Sequence, residues 1–357
     1  MNRNHRQSVS QGFGSKNCFC GTKVLRRRFT HMNNRDQTHR SERGSCARSV
    51  RDMPLKGWID ILRRTFTQVQ ADNVFLISAG VAFFFLLALA PALTAFSAIA
   101  NLLIPQAAVQ DLVNEVGPIL PESSSQLIKD QLETVLDEHE RQTALTLKAV
   151  FGLALSFWAA AAAVRAMMTA ITVAYREDEE RPLWEFHLTA LGLTIAALLI
   201  GLVAVIAFLA LPVALSLLPL SGSSELIARF LRWPLLIVAV IAGLSITYRF
   251  APSRRQAKAR WVTVGAVAAA LMWIAGSLLF TTYVEKIANY EEIHGALSSI
   301  VVLLLWFWFS AVVAIFGAEL NAELEHQTSV DTTVGKDRPM GERGAYVADH
   351  LALDREA

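Results

Sequence analysis

The sequence predicts an all-α, polytopic membrane protein of six transmembrane helices, with an external amphipathic helical hairpin between helices 1 and 2. Three observations lead to this fold class. Six long apolar stretches, Phe75–Ile104, Lys148–Ala174, Leu188–Leu218, Trp233–Phe250, Trp261–Val284 and Ala296–Ala318, are divided by short charged or Pro/Gly-bearing breaks. Most of them reach the roughly 20 apolar residues that a helix needs to cross a hydrocarbon core. Of 357 residues, 53% are hydrophobic and 18% charged, against roughly 25% charge in a soluble domain. The charge lies almost wholly between or beyond the stretches, so the formal net charge of +2 sums opposed segments and says nothing about partners.

Residues 1–52 carry twelve Lys/Arg, including Arg26-Arg27-Arg28, against three acids, with no apolar periodicity to bury a core. A disordered basic arm is expected there. It can serve as a lipid- or nucleic-acid-facing arm, or translation begins at Met53, where Pro54-Leu55-Lys56-Gly57-Trp58 opens an amphipathic approach to the first span. All three cysteines, Cys18, Cys20 and Cys46, fall in this arm, and Cys18-Phe19-Cys20 lacks the Cys-x-x-Cys spacing of redox and zinc sites. The membrane domain is expected over 53–325 and a disordered cytoplasmic tail over 326–357.

Between the first two spans, 105–142 holds eight acids and two bases. Val109, Leu112, Val113, Val116 and Leu120 suit one helical face, and Leu127, Ile128, Leu132, Val135 and Leu136 another, separated by Gly117-Pro118 and Pro121. This is the expected external hairpin. Orientation follows from bases in short loops. Arg176 and Arg181 lie in the connection after span 2, and Arg249, Arg254, Arg255, Lys258 and Arg260 in that after span 4. Those loops and both termini should be cytoplasmic. Tyr175-Arg176 and Tyr248-Arg249 at the ends of spans 2 and 4, with Trp184 and Trp261 opening the returning helices, read as interface anchors.

Polar residues within spans are the candidates for function. Arg165 interrupts an Ala-rich run about ten residues before the inner end of span 2, roughly 15 Å along the axis from Arg176. That distance exceeds comfortable snorkelling. Its expected partner is an anionic group, either a substrate headgroup or the carboxylate of Glu319 at the inner end of span 6. Pro91 within span 1, Pro212 near the outer end of the long span 3, and the short span 4 beginning at Pro234 mark helix breaks of the kind that line transporter cavities. Asn321, Tyr283 and Tyr290 complete the substrate-path candidates with Arg165, Glu319 and Pro91. Two Glu-x-x-His pairs, Glu291/His294 and Glu323/His326, have a spacing used by di-iron centres, but they fall on opposite sides of the membrane in this topology. No zinc-type ligand set and no phosphate-binding Gly-x-x-x-x-Gly-Lys-Ser/Thr occurs. No metal or cofactor is expected.

The order of motifs in the last third, Tyr248…Pro252, Trp273, Phe280-x-x-Tyr283, Asn289-Tyr290, His294-Gly295-Ala296, Trp306 and Gly317-Ala318-Glu319-Leu320-Asn321, resembles the YihY/BrkB family of bacterial inner-membrane proteins. Ala82-Phe83…Pro91 and Ala170…Tyr175…Arg181-Pro182 resemble it too, so the likeness covers roughly residues 55–325. In the family a Tyr commonly stands where this chain has His294. The resemblance implies six helices in the bacterial inner membrane with both termini cytoplasmic, and links to serum resistance and envelope lipid handling. The expected function is therefore transport or translocation of an amphiphile, envelope lipid or small solute through a cavity near Arg165. A non-transporting scaffold for envelope assembly is the alternative. The family has also carried a ribonuclease label, for which this sequence offers no nuclease metal cluster. Expected partners are membrane lipids and an anionic amphiphile or small-solute substrate, not nucleic acid, and self-association into a homo-oligomer is left open.

Overall fold

The computed structural model describes residues 42–103, 147–216, 224–286 and 298–352. Its helices are α1 (Leu55–Ala71), α2 (Val74–Leu103), α3 (Leu147–Ala174), α4 (Leu183–Ser216), α5 (Ser224–Phe250), α6 (Ala259–Lys286), α7 (Ser298–His326) and the short α8 (Tyr346–Asp349). The described residues contain no β-strand, only one isolated antiparallel bridge, Ala257 to Thr333. An apolar helix in lipid satisfies its own backbone, which is why the apolar runs become helices and nothing else.

Four helices contain windows long and apolar enough to cross a bilayer, Phe157–Ala174, Leu183–Val205, Ala259–Val284 and Ser298–His326. Leu55–Ala71 together with Val74–Leu89 makes a fifth if the 65° bend between them is one broken span, while Pro234–Phe250 is apolar but shorter. The described residues thus support four or five spans where the sequence predicts six. The external hairpin expected at 105–142 lies outside the described residues.

The helices pack in chain order, α2 on α3, α3 on α4, α4 on α5, α5 on α6 and α6 on α7, and α7 returns to pack on α2 and also on α1 and α3. Helix α7 is therefore the hub. Its C-terminal half is enclosed on every side: each residue from Val313 to Ser329 is buried. Two glycines permit this closeness. A Cβ at Gly265 would collide with the carbonyl oxygen of Gly317, and one at Gly317 would lie 2.5 Å from the Tyr248 hydroxyl and 2.7 Å from the Gly265 carbonyl oxygen. Small residues that let backbones touch are the usual device of membrane helix pairs.

Several expectations shift at element boundaries. Helix α5, which holds the expected fourth span, begins at Ser224 and carries Pro234 inside it, and α2 runs through Pro91 without interruption. Neighbouring helices and local adjustment can satisfy the backbone groups a proline frees. The sharp bend instead falls at Asp72-Asn73, where Asn73 takes φ 51°, a conformation Asn tolerates better than most residues. Before it, α1 is amphipathic as expected. Gly57, Ile61, Thr65 and Val69 are buried on one side, while Leu55, Ile59, Leu62 and Phe66 are exposed on another.

Both terminal segments also differ from expectation. Residues 42–52, assigned to the disordered arm, pack on the bundle: Ala47 and Met53 join Ile61, Trp261, Leu320 and Leu324 in a core of their own. Residues 327–352, assigned to a disordered tail, fold back over the same end. Ser329 donates its N–H to the Ser45 carbonyl at 2.8 Å and Thr328 its hydroxyl to the Ala47 carbonyl at 2.7 Å. Val334 and Lys258 donate their N–H groups to Gln256 and Thr332. Arg343, 3% exposed, donates to the carbonyls of Ala348 and Ser329 at 2.6 and 2.7 Å. The tail is held by hydrogen bonds to backbone groups, from both backbone and side chains, and by a few apolar residues such as Val347, 0% exposed, without the periodicity that could be read from sequence.

Candidate functional site

The end of the bundle covered by these segments gathers the buried charge. On α7, Glu319, Glu323 and His326 recur every three or four residues and share one face, while Asn321 and Glu325 share another. All five are buried. Buried ions require partners, and each face finds different ones.

Glu323 sits between two arginines from elements distant in sequence. Arg64 of α1 donates its Nε to Glu323 at 2.6 Å, and Arg176, just past α3, pairs with the same carboxylate. Arg176 donates also to Gln68 at 3.1 Å and to Nδ1 of His326 at 2.9 Å. Because a guanidinium only donates, Nδ1 of His326 accepts and the ring is neutral with its proton on Nε2. Arg64 further bonds Gln327, whose amide donates to the Arg43 carbonyl at 2.6 Å. Arg176 itself adopts φ 56°, an uncommon backbone conformation for a non-glycine residue, and this turn delivers its side chain to α7.

On the other face Arg254, from the α5–α6 connection, pairs with Glu325 at 2.6 Å, with both side chains at most 1% exposed. Its guanidinium lies 4.2 Å over the Tyr175 ring, and Thr332 of the tail donates its hydroxyl to Glu325 at 2.6 Å. Asn321 ties α6 to α7, accepting the Gly265 N–H at 2.7 Å and donating to the Val262 carbonyl at 2.9 Å. The network thus joins α1, the end of α3, the α5–α6 connection, α7 and the tail.

At its rim, Glu177 accepts the Tyr346 N–H at 2.7 Å. Burial raises its carboxyl above the usual range, against that hydrogen bond and Arg254. Burial would likewise raise Asp331, but the Arg338 N–H, the Thr333 hydroxyl and N–H, and Arg343 together hold it below the ordinary value. Glu179 is held low mainly by its hydrogen bond from Arg181.

The candidates named from sequence fall in different places. Glu319 and Asn321 belong to this cluster. Arg165 and Glu319 are not brought together: the Arg165 guanidinium lies 5.0 Å over the Trp158 ring, with no ion pair among the described residues. Tyr283 sits half exposed near the far end of α6. Tyr290 lies outside the described residues, and the side chain of Pro91 is likewise undescribed. The aromatic anchors divide as well. Trp184 is exposed as an anchor should be, but Tyr175, Tyr248 and Trp261 are wholly buried. Tyr248 donates to the Ala314 carbonyl at 2.6 Å, so these rings pack the bundle rather than face headgroups. Arg64, Arg176, Arg254, Glu323 and Glu325 were not among the substrate-path candidates: Glu323 stood out only in a Glu-x-x-His pair, and Arg176 and Arg254 only as loop bases. Their signal was present in the acids four and six residues past Glu319, on a helix continuing beyond its apolar stretch.

The chain matches the model of the virulence factor BrkB family over residues 65–341. It belongs to that family. BrkB-type relatives include a Bacillus subtilis protein named ribonuclease-like protein YfkH, 31% identical over 255 residues that make up 69% of this chain and 88% of that protein. A UPF0761 membrane protein of Rhodospirillum centenum is 28% identical over 83% of this chain and 63% of its own length. One of Idiomarina loihiensis is 34% identical over 28% of this chain and 34% of its own. No solved structure matches. The apolar helices and these relatives make the chain a multi-pass membrane protein, as the BrkB resemblance implied.

Proposed function

We propose that this BrkB-family protein is a translocator of an anionic amphiphile, envelope lipid or small solute in the bacterial inner membrane, with the ion network closing its cytoplasmic end. The observation that carries this reading is the network itself, in which five separate segments are held together by charges buried at one end of a membrane bundle. A buried ion pair seldom stabilises a fold more than apolar residues of the same volume would. Its best-attested use is to specify one arrangement, and a closed state that must later open is such an arrangement. Arg165 supports the same reading. It is a cation within a span, held over Trp158 and not neutralised by an acid among the described residues, and so offers a planar donor fork to a phosphate or carboxylate. The arginine-rich ends of α3 and α5 favour a cytoplasmic position for the closed end.

The test uses purified protein in liposomes carrying NBD-labelled phosphatidylglycerol in both leaflets, with dithionite quenching of the outer one. Wild-type protein should expose inner-leaflet probe to quenching faster than protein-free liposomes do. Arg165→Leu should insert normally, since it removes a charge costing roughly 2.5–3.5 kcal/mol on insertion scales, and should slow translocation about tenfold or more, equivalent to about 1.4 kcal/mol of lost headgroup recognition. Probe movement no faster than in empty liposomes would leave the scaffold reading ahead. Equal rates in wild type and Arg165→Leu would remove Arg165 from the path.

A further inference from the structure

One turn deeper into the membrane than Glu323, the second carboxyl of the same face stands in a different situation. Glu319 is 0% exposed, and neither of its oxygens has a hydrogen-bond partner. It lies seven residues before the end of α7, roughly 10 Å along the axis. The Tyr175 hydroxyl, also wholly buried, is likewise without a partner.

The groups facing it can be named element by element. From the α1–α2 bend comes Asp72, which accepts both its bonds from Gln68 at 2.8 and 2.9 Å. The end of α3 contributes Tyr175 and Arg176, and α7 contributes Glu323. Arg64 of α1 reaches the cluster through Glu323. The sequences of α2 and of Trp261–Val284 in α6 hold no acid, base or histidine, and the one tyrosine there, Tyr283, is at the far end. The α5 tyrosine, Tyr248, is committed to the Ala314 carbonyl.

The charges then balance without Glu319. Arg64 and Arg176 supply two positive charges, Glu323 and Asp72 two negative ones, and His326 is neutral. An ionised Glu319, itself 0% exposed and without a hydrogen-bond donor, would be an uncompensated buried anion, which is costly. Protonation removes that cost, and the neutral acid can donate to Asp72 across the bend.

We propose that Glu319, with Asp72 and Tyr175 beside it, is a proton-binding site, and that releasing its proton is coupled to opening the ion network. In the closed state the carboxyl carries the proton while Arg176 is held by Glu323. When the network opens, Arg176 turns one helical level inward to Glu319. The O–H bond breaks, the proton leaves to water at the inner mouth, and the carboxylate forms an ion pair with Arg176. A proton arriving from the opposite side of the membrane rebuilds the closed state, so each cycle carries one proton across and a proton gradient can drive it. The coupling rests on the translocator reading; the proton site does not.

The experiment is infrared difference spectroscopy of the full-length protein in lipid. Wild type at neutral pH should show the C=O stretch of a protonated carboxylic acid, lost on titration to alkaline pH. The band should vanish in Glu319→Gln and persist in Asp72→Asn. Carbodiimide labelling of wild type, followed by peptide mass spectrometry, should find the adduct on Glu319 and find less of it as pH rises. No protonated-acid band in wild type at neutral pH overturns the site whatever the variants do. A band lost in Asp72→Asn but kept in Glu319→Gln overturns the assignment to Glu319. In the NBD-phosphatidylglycerol liposomes, an imposed pH gradient should change the wild-type rate several-fold and leave Glu319→Gln unmoved. A wild-type rate indifferent to the gradient, with the band present, overturns the coupling alone; no translocation under any condition overturns the translocator reading while the infrared band still decides the site.

Discussion

Replacing Glu323 with Gln keeps the shape of the side chain and removes the charge that two arginines share. Arg64 and Arg176 are then left as neighbouring cations with no carboxylate between them, and only Gln327, Gln68 and His326 remain as acceptors. Stripping one partner from a buried pair costs about 3–5 kcal/mol. The two guanidinium side chains keep 18% and 16% of their surface, so water can relieve part of this and the lower end, about 3 kcal/mol, applies. At about 2.1 cal/mol/K of unfolding entropy per residue, a chain of 357 residues shifts by little more than about 1 °C per kcal/mol, so the apparent melting temperature should fall by roughly 3–5 °C. The assay is thermal loss of the monodisperse peak in detergent at one fixed heating rate, because unfolding of such a protein is irreversible and the midpoint depends on rate. Arg176→Gln alone should be costly too, whereas Glu323→Gln with Arg176→Gln should cost less than the sum, by about 0.5–3 kcal/mol of coupling. A Glu323→Gln protein melting within about 2 °C of wild type, or strict additivity of the pair, would refute the view that this network holds the inner end closed.

Two further outcomes follow from the packing around the site. Gly265→Leu places a side chain where the Gly317 carbonyl and Asn321 already sit, so α6 and α7 should separate at a cost of about 1–3 kcal/mol or more, measured as loss of the same monodisperse peak, while Gly80→Leu, with nothing within 4 Å of its Cβ position, should be tolerated. Asp331 is held below its ordinary value by the tail's N–H groups and hydroxyls, so the stabilisation it gives is present above its unfolded value of about 4 and lost as pH falls through the lower folded value. The protection factors of the Thr333 and Arg338 amides, which remove the intrinsic slowing of exchange in acid, should therefore hold down to about pH 4 and drop below it, whereas in Asp331→Asn they should show no such drop.

The apolar runs alone determined that this is a helical membrane protein, because a segment with nothing to offer water and every backbone group to satisfy has one solution in lipid. They also determined that the end of the bundle bearing Arg176 and Arg254 differs from the other, since those bases could be counted without knowing what they touch. Glu319 and Asn321 were legible as polar residues toward the C-terminal end of α7, and the amphipathic α1 was legible from its spacing. Tertiary structure decided the rest. Whether Tyr175 faces headgroups or lies under Arg254 depends on which side of α3 meets α7, and one helix's hydrophobicity does not carry that information. Arg165 and Glu319 were matched by sign and depth, but their faces do not meet, and Glu323 took instead the arginines of a preceding helix and a loop. The segments 42–52 and 327–352 looked unstructured because they are held by hydrogen bonds to backbone groups of each other and of the α5–α6 connection, and by isolated apolar residues such as Ala47 and Val347, none of which makes a periodic pattern. A hydrophobic pattern reports what must leave water; which buried charge answers which is fixed only when chain segments far apart in sequence arrive at the same place.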